Sequence, residues 1–132
     1  MRNSFNIATT RAVSNPSTVS EYILPMLKKE GLGVLYCGKW TDEESKNLDK
    51  TLEILEGKFK EKKKILLPSN KGTRNIILIQ PKNICPKIYP RKVGKPEKNP
   101  LWNYFFDNLL ATLSPNFSFK VLNFFITFFG FI

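Results

Sequence analysis

The sequence predicts an α/β fold in which helices alternate with strands and the last two strands form an antiparallel hairpin. Apolar and β-branched runs of strand length recur along the first 80 residues. Two stretches between these runs carry apolar residues at helical spacing. The last two runs are joined only by a short link that contains Asn70 and Gly72. So short a link allows an antiparallel pair and excludes a parallel crossover.

The first strand and the first helix are predicted from residues 5 to 29. Residues 5–10, FNIATT, form a β-branched run typical of a strand. The Asn-Pro pair at 15–16 is a typical helix start, and a helix is predicted over 16–29, kinked at Pro25 and ended by Gly31. Its apolar positions are Val19, Ile23, Met26 and Leu27.

The second strand and the second helix follow the same order. Residues 32–37, LGVLYC, are almost continuously apolar, which is the pattern of a strand buried on both faces. The residues TDEE at 41–44 match a capping box, and a helix is predicted over 42–56, closed by Gly57. Its apolar positions are Leu48, Leu52 and Leu55.

The remaining elements are two strands and a proline-rich segment. Strands are predicted at 59–67 and 75–80, and the first crossover should be parallel and right-handed. Five prolines between 81 and 100 are expected to keep that segment extended rather than helical. The predicted organisation is a domain over 1–81, a basic proline-rich arm over 82–101 and an aromatic-rich extension over 102–132.

The positive charge of the chain is concentrated in one block. Residues 58–98 carry 13 cations and 2 anions, whereas residues 1–57 carry 7 cations and 8 anions, out of a net charge of +10. A surface of this kind is typical of proteins that meet phosphates. A solvated face that only keeps the protein soluble is the alternative, above all for the run Lys60–Lys64.

The residue inventory excludes several kinds of site. The chain has no histidine and two cysteines without a C-x-x-C pair, which excludes a Cys–His nucleophile, a Ser–His–Asp triad and the common zinc sites. No catalytic side chain and no metal ligand are predicted. The first residues lack an apolar core of signal-peptide length, so a cytoplasmic protein with reduced cysteines is expected.

Four segments resemble the ribosomal RNA small subunit methyltransferase G family, also called glucose-inhibited division protein B. They are FNIATTRAV at 5–13, YILPMLKKEGLGVLY at 22–36, TRNIILI at 73–79 and YPRKVGKPEKNPL at 89–101. The resemblance implies the C-terminal half of a Rossmann-like class I methyltransferase sheet. It also implies transfer of a methyl group from S-adenosylmethionine to guanine N7 of 16S rRNA, in the small ribosomal subunit.

The sequence departs from the family pattern in three places. The family's glycine-rich donor-binding loop and its acidic residue have no counterpart, so the resemblance implies a truncated form that lacks an N-terminal lobe. Cys37 stands before Gly38 where the family often has a lysine or arginine, and Lys39 is a candidate substitute. The family ends near Leu101, so residues 102–132 are additional.

By the same resemblance, Arg11 contributes to the donor pocket, at the strand end where open α/β sheets bind ligands. An arginine that faces water at a strand end is the alternative. The residues implied in RNA binding are Arg74, Arg91, Lys92, Lys95 and Lys98. Tyr89 would stack on a base or anchor the arm to the domain, and anchoring is the more common fate. Guanine N7 has a free lone pair, so the reaction needs alignment rather than a general base.

The aromatic extension adds a membrane-binding alternative to the functions considered. Residues 102–132 hold 11 of the 17 aromatic residues, which suits an interfacial membrane anchor or a sequence never selected to fold. With such an anchor the chain would be a basic peripheral membrane protein. The other alternative to a methyltransferase is a non-catalytic RNA-binding fragment.

Overall fold

The structure, a computed structural model that describes residues 1–11 and 15–104, contains one mixed four-stranded sheet. Its strand order is β1-β2-β4-β3, with β1 parallel to β2 and the other neighbours antiparallel. The strands are β1 (Phe5–Arg11), β2 (Leu27–Cys37), β3 (Gly57–Leu66) and β4 (Thr73–Pro81), and the helices include α1 (Pro16–Ile23), α2 (Asp42–Ile54) and α3 (Lys95–Lys98). Residues 101–104 are also helical. The predicted α/β class is confirmed.

The first helix is shorter than predicted, and the second strand is longer. Helix α1 begins at Pro16, with the Asn15 side chain accepting a hydrogen bond from the Ser17 amide, but it ends at Ile23. A 3₁₀ turn over Leu24–Met26 follows, because Pro25 lacks the N–H that another α-helical turn needs. The prediction of helix up to residue 29 is wrong, and Gly31 lies inside β2 rather than at a helix end.

The second helix starts at the predicted capping box. The Glu44 amide donates to Thr41 Oγ1 over 3.2 Å, and the Thr41 amide donates to the Glu44 carboxylate over 2.9 Å. Gly57 does not close this helix as predicted. Glu56 takes the left-handed conformation at its end, with φ of 57°, and Gly57 begins β3. A Cβ atom at Gly57 would lie 2.6 Å from Leu24 Cδ1, so close packing requires the glycine there.

Strands β3 and β4 are antiparallel over their whole lengths. Their register runs from Gly57 opposite Pro81 to Leu66 opposite Thr73, with a bulge between Phe59 and Glu61. The link between them includes two residues with positive φ, Ser69 and Asn70, and Gly72 with φ of 95°. The strands extend beyond the predicted 59–67 and 75–80 at their amino ends.

The hydrophobic core lies on one face of the sheet, beneath α1 and α2. Leu35 of β2 and Ile77 and Ile79 of β4 point to this face and are almost fully buried. The other members of the core include Ile23, Leu24, Leu27, Leu48, Leu52 and Leu55. The covered face of the sheet is therefore the face on which both crossover helices pack.

The segment 82–101 is folded onto the domain. Cys85, Tyr89, Pro96 and Leu101 are buried in it. The prediction of an extended, non-helical segment is wrong at residues 95–98, which form α3. Its proline lies in the first turn, where a missing N–H costs nothing.

The predictions for the extension lie almost entirely outside the described residues, since the described part ends at residue 104. Within the described part, none of the helices is long and apolar enough to cross a membrane.

Removing the cap of α2 tests the local sequence reasoning. Thr41→Ala loses the oxygen that accepts from the Glu44 amide and should lower the free energy of unfolding by about 1 kcal/mol. Thr41→Ser keeps the oxygen and serves as the control. Urea unfolding followed by circular dichroism measures both, and an unchanged midpoint in Thr41→Ala would contradict the capping role.

Candidate nucleic-acid interface

Two of the predicted site residues lie at one edge of the sheet, the edge formed by the carboxyl ends of β1 and β2. Arg11 is opposite Tyr36, and Tyr36 is opposite Ile76, so these side chains share one face. Arg74 lies two residues from Ile76 on that same face. Both arginines are exposed. The structure therefore brings the predicted donor-binding arginine and one predicted RNA-binding arginine to the same edge.

Two residues at this edge were missed by the sequence reasoning. Tyr36 is 45% exposed and stands directly beside Arg11 in the sheet. The Asn75 side-chain amide donates to the Gly38 carbonyl over 2.7 Å and so positions the loop after β2. The sequence did not predict that Tyr36 is exposed, because the apolar run at 32–37 is the pattern of a strand buried on both faces.

Arg91 is held by a buried carboxylate. Its Nε donates to Glu21 Oε1 over 2.8 Å, and its Nη2 donates to Glu21 Oε2 over 2.7 Å. Its backbone amide also donates to Glu21 Oε1, and its guanidinium lies 5.6 Å from the centre of the Tyr104 ring. The side chain of Glu21 is only 1% exposed. The hydrogen bonds to Glu21 raise the pKa of Arg91.

This geometry changes the interpretation of Arg91. The sequence reasoning grouped it with the cations that reach phosphate, but its guanidinium is engaged with α1 inside the fold. A bidentate pair with a buried carboxylate leaves little of the guanidinium for a phosphate. We therefore assign Arg91 to anchoring the segment.

A second arginine fixes the same segment from the amino terminus. The Arg2 guanidinium donates to the backbone carbonyls of Tyr89, Cys85 and Pro86. Tyr89 itself is 9% exposed, and burial raises its pKa. The anchoring alternative for Tyr89 thus matches its place in the fold. Arg2 was also missed, because nothing in its sequence neighbourhood indicates a long-range contact.

The other cations of the segment point to solvent. Lys92, Lys95 and Lys98 are all exposed, and Lys95 and Lys98 share one side of α3 while Pro96 is buried. Two more exposed lysines, Lys82 and Lys87, precede them. The segment is therefore a cationic surface on a fixed backbone.

The edge strand β3 carries the second group of cations, in which only Glu61 is acidic. The Glu61 carboxylate lies 3.7 Å from Lys63 Nζ, and each of the two side chains is at least half exposed. The exposed lysines of this strand are Lys58, Lys60, Lys62, Lys63 and Lys64. An ion pair of this exposure contributes little to stability, so the strand remains a basic surface.

The two cysteines are thiols at neutral pH. Burial raises the pKa of Cys37 to about 11, and the Glu44 carboxylate adds to the effect. Burial likewise raises the pKa of Cys85 to about 11, against the opposing charge of Arg2. Neither is a candidate nucleophile, since nucleophilic attack needs the thiolate.

Proteins of the same name match this chain over three quarters of its length. The ribosomal RNA small subunit methyltransferase G of Prochlorococcus marinus strain MIT 9312 is 92% identical over 101 residues, which are 76% of this chain and 43% of the relative. The protein of strain MIT 9215 is 90% identical over 101 residues, with the same two shares. The protein of strain MIT 9515 is 64% identical over 100 residues, 76% of this chain and 42% of the relative.

The resemblance to the ribosomal RNA small subunit methyltransferase G family is confirmed, as a partial match. The chain spans less than half the length of the relatives it matches. No protein-family model matches the chain.

The structure divides the predicted site residues of this partial family match into two groups. Arg11 and Arg74 lie at the carboxyl edge of the sheet, whereas the four cations from Arg91 to Lys98 lie on the segment beside α1. Two shallow depressions also occur, one lined by residues such as Leu27 and Ile84 and the other by residues such as Asp49 and Lys82. Both depressions lie at the opposite end of the sheet from Arg11. Arg11 itself is exposed at the carboxyl end of β1.

Removing Arg91 tests the anchoring role. Arg91→Ala leaves the Glu21 carboxylate buried without its partner and should lower the free energy of unfolding by about 3–5 kcal/mol. Lys92→Ala, next to it and exposed, is the control and should change stability by less than about 0.5 kcal/mol. Chemical unfolding measures both.

A double variant separates burial of the charge from loss of packing. Arg91→Met combined with Glu21→Gln removes both charges and should recover a large part of the stability lost in Arg91→Ala. Equal stability of Arg91→Ala and Lys92→Ala would show that the ion pair does not hold the segment.

The raised pKa of Cys37 gives a test by alkylation. A shift from 9.0 to about 11 lowers the thiolate fraction about 100-fold near pH 8, so iodoacetamide should modify Cys37 about 100-fold more slowly than a free thiol. Unfolding in urea should restore the ordinary rate. The stabilisation linked to this shift is present below pH 9 and is lost as the pH rises towards 11. A native rate equal to that of free cysteine would contradict the burial.

Proposed function

We propose that this chain is part of an S-adenosylmethionine-dependent methyltransferase that acts on guanine N7 of 16S rRNA, and that its own share of the work is to bind the RNA. The identity of 92% to a ribosomal RNA small subunit methyltransferase G carries the proposal. The sheet would be the C-terminal half of a Rossmann-like methyltransferase sheet that ends in the hairpin of β3 and β4. The partner would be 16S rRNA within the small ribosomal subunit.

The exposed lysines support the RNA-binding part of the proposal. Lys92, Lys95 and Lys98 stand on a segment whose backbone is fixed by Arg2 and Arg91. RNA binding to these lysines loses little chain entropy, because the chain is already ordered. Contacts of this kind determine where the RNA lies without reading its bases. Arg74 would make a further contact from the sheet edge.

Arg11 supports the donor-binding part less directly. It lies at the carboxyl end of a parallel strand, where ligands bind in open α/β sheets, and its guanidinium could pair with the carboxylate of S-adenosylmethionine. The described residues supply an exposed edge here rather than a closed cavity. We therefore propose that donor binding also needs residues that the longer relatives have outside the matched region.

A non-catalytic RNA-binding role is the second candidate. The exposed lysines of the segment also favour this role, since a basic surface fixed on a fold binds RNA with or without a methyl donor. Equilibrium dialysis with labelled S-adenosylmethionine distinguishes the two functions when this chain is mixed with the portion of the strain MIT 9312 relative outside the match, because only a part of a methyltransferase would increase the donor retained by that portion.

Neutralising the segment tests RNA binding. In the triple variant Lys92→Gln, Lys95→Gln and Lys98→Gln, the slope of log affinity against log salt should fall by about 2 to 3, because about one counterion is released per phosphate contact. Lys28→Gln, Lys29→Gln and Lys46→Gln remove the same charge from exposed positions outside the basic block and form the matched control. Fluorescence anisotropy with a 16S rRNA transcript gives the slopes.

Equal slopes in the two triple variants would show that the segment does not contact RNA. The chain alone is expected to transfer no methyl group to undermethylated small subunits from labelled S-adenosylmethionine. Label on guanine would contradict the proposed division of work, and so would RNA binding that is independent of salt.

A further inference from the structure

The end of the β3–β4 hairpin is a second basic surface, of which the proposed function uses only Arg74. We call residues 62–74 the hairpin end. Every residue from Lys58 to Arg74 is exposed or half-buried, whereas Ile77 and Ile79, further along β4, are buried in the core. The hairpin end therefore projects beyond the core as far as the link between the two strands.

The cations of the hairpin end lie on both of its faces. It carries five cations and no acidic residue. Lys62 and Lys64 lie on the side of the sheet that α2 covers, while Lys63 and Arg74 lie on the other side. Lys71 is in the link, and all five cations are exposed. A ribbon with cations on both faces can lie between two phosphate backbones and neutralise both.

Two aliphatic side chains stand among these cations. Leu66 is 77% exposed, and Ile65, opposite Arg74 in the sheet, is 44% exposed. A single exposed leucine needs no explanation, but here the two residues are adjacent, and the exposed Pro68 continues the apolar surface into the link. Leu, Ile and Pro are among the side chains that nucleic-acid-binding proteins insert between base steps. The hairpin end thus combines phosphate-binding groups with apolar groups suited to insertion.

The backbone that carries Leu66 is fixed by the link. The Leu67 amide donates to the Gly72 carbonyl over 2.9 Å. Ser69 and Asn70, with φ of 58° and 55°, turn the chain through the left-handed conformation. Leu66 is therefore held at the end of an ordered ribbon, and little further ordering of the chain is needed when it meets a ligand.

Protection of the sheet edge explains only part of this surface. Lysines and a bulge keep another strand from pairing with β3. That requirement does not account for the cations outside β3, which are Lys71 and Arg74. It also disfavours exposed aliphatic side chains at the edge, where Ile65 and Leu66 stand. The whole set of residues indicates contact with an anionic ligand that has apolar surfaces, which is the chemistry of a nucleic acid.

The hairpin end lies at the same edge of the sheet as the proposed donor site. Arg11, Tyr36, Ile76 and Lys63 form one row across the four strands. At about 4.8 Å between strands, Lys63 is about 14 Å from Arg11, and Leu66 lies three residues, about 10 Å, beyond the row. An RNA strand bound by the hairpin end would therefore pass close to the edge at which the donor is proposed to bind.

We propose that the hairpin end inserts Leu66 and Ile65 between bases of 16S rRNA while the cations on its two faces neutralise the phosphates on either side. The inference rests on the proposed function, since it assigns the opening of the RNA to one element of that same methyltransferase. Guanine N7 lies on the major-groove edge of the base, and the major groove of an RNA helix is too deep and narrow for side chains to reach. The guanine must therefore leave its stack before it is methylated.

Salt dependence tests the contact with phosphates. The hairpin variant, Lys62→Gln, Lys63→Gln and Lys64→Gln, is compared with the parent chain by fluorescence anisotropy on a protein-free 16S rRNA transcript. Its slope of log affinity against log salt should fall by about 2, since each lost phosphate contact removes nearly one released counterion. The control triple variant of Lys28, Lys29 and Lys46 should keep the parent slope. The reduction should add to that of the Lys92, Lys95 and Lys98 variant, because the two surfaces contact different phosphates.

Leu66→Ser tests the insertion. Acylation of RNA 2′-hydroxyls, read by reverse transcription, detects nucleotides that have lost their stacking. The parent chain should raise acylation at a few adjacent nucleotides, and Leu66→Ser should lose this increase while keeping the parent salt slope. Ile84→Ser, at an isoleucine that is 73% exposed at the opposite end of the sheet, is the matched control and should retain the increase. Circular dichroism of each variant should match the parent chain, because the replaced side chains are exposed.

Three results would overturn the inference. They are a parent slope in the hairpin variant, an unchanged acylation pattern in Leu66→Ser, and weaker binding of Leu66→Ser to intact small subunits but not to the bare transcript. The last result would make a protein the occupant of the hairpin end. Failure here is distinct from failure of the proposed function. A lower slope in the Lys92, Lys95 and Lys98 variant, with the parent slope in the hairpin variant, would remove only this inference.

Discussion

The buried carboxylate of Glu21 is the constraint on which the placement of the basic segment depends. A carboxylate removed from water must be paired, since leaving it alone costs several kcal/mol. The group that pairs it, Arg91, comes from 70 residues further along the chain. The requirement of one buried charge therefore brings the segment 82–101 onto α1. The Arg2 guanidinium holds the same segment from the other side through three backbone carbonyls, and Lys92, Lys95 and Lys98 are left facing solvent.

This arrangement separates two roles that the sequence combines in one block of cations. Arginine suits the buried position, because its planar fork can satisfy both carboxylate oxygens of Glu21. Lysine suits the surface, where a flexible and well-hydrated charge can follow a phosphate backbone. Within the block of positive charge, Arg91 thus stabilises the fold and the lysines form the surface. Only the burial of each side chain distinguishes the two roles.

The sheet shows a corresponding asymmetry. One face is filled by α1 and α2, and one edge is protected by the lysines and the bulge of β3. The other face and the edge of β1 have neither cover nor protection among the described residues. The matched relatives are more than twice as long as the matched region. The basic surface belongs to the part described here, and the proposed donor site lies at its open edge.

The α/β class, the capping box at Thr41 and the likeness to the methyltransferase family could all be predicted from the residue pattern, because each depends on residues close together in the chain or on a motif as a whole. It misplaced the end of α1, because the local helical spacing up to Leu27 competes with pairing of that residue opposite Phe5 in the sheet. The anchoring contact of Arg91 became visible only in the folded chain, because its partner Glu21 is distant in sequence. Burial and charge pairing arise when distant segments meet, and no local pattern records them.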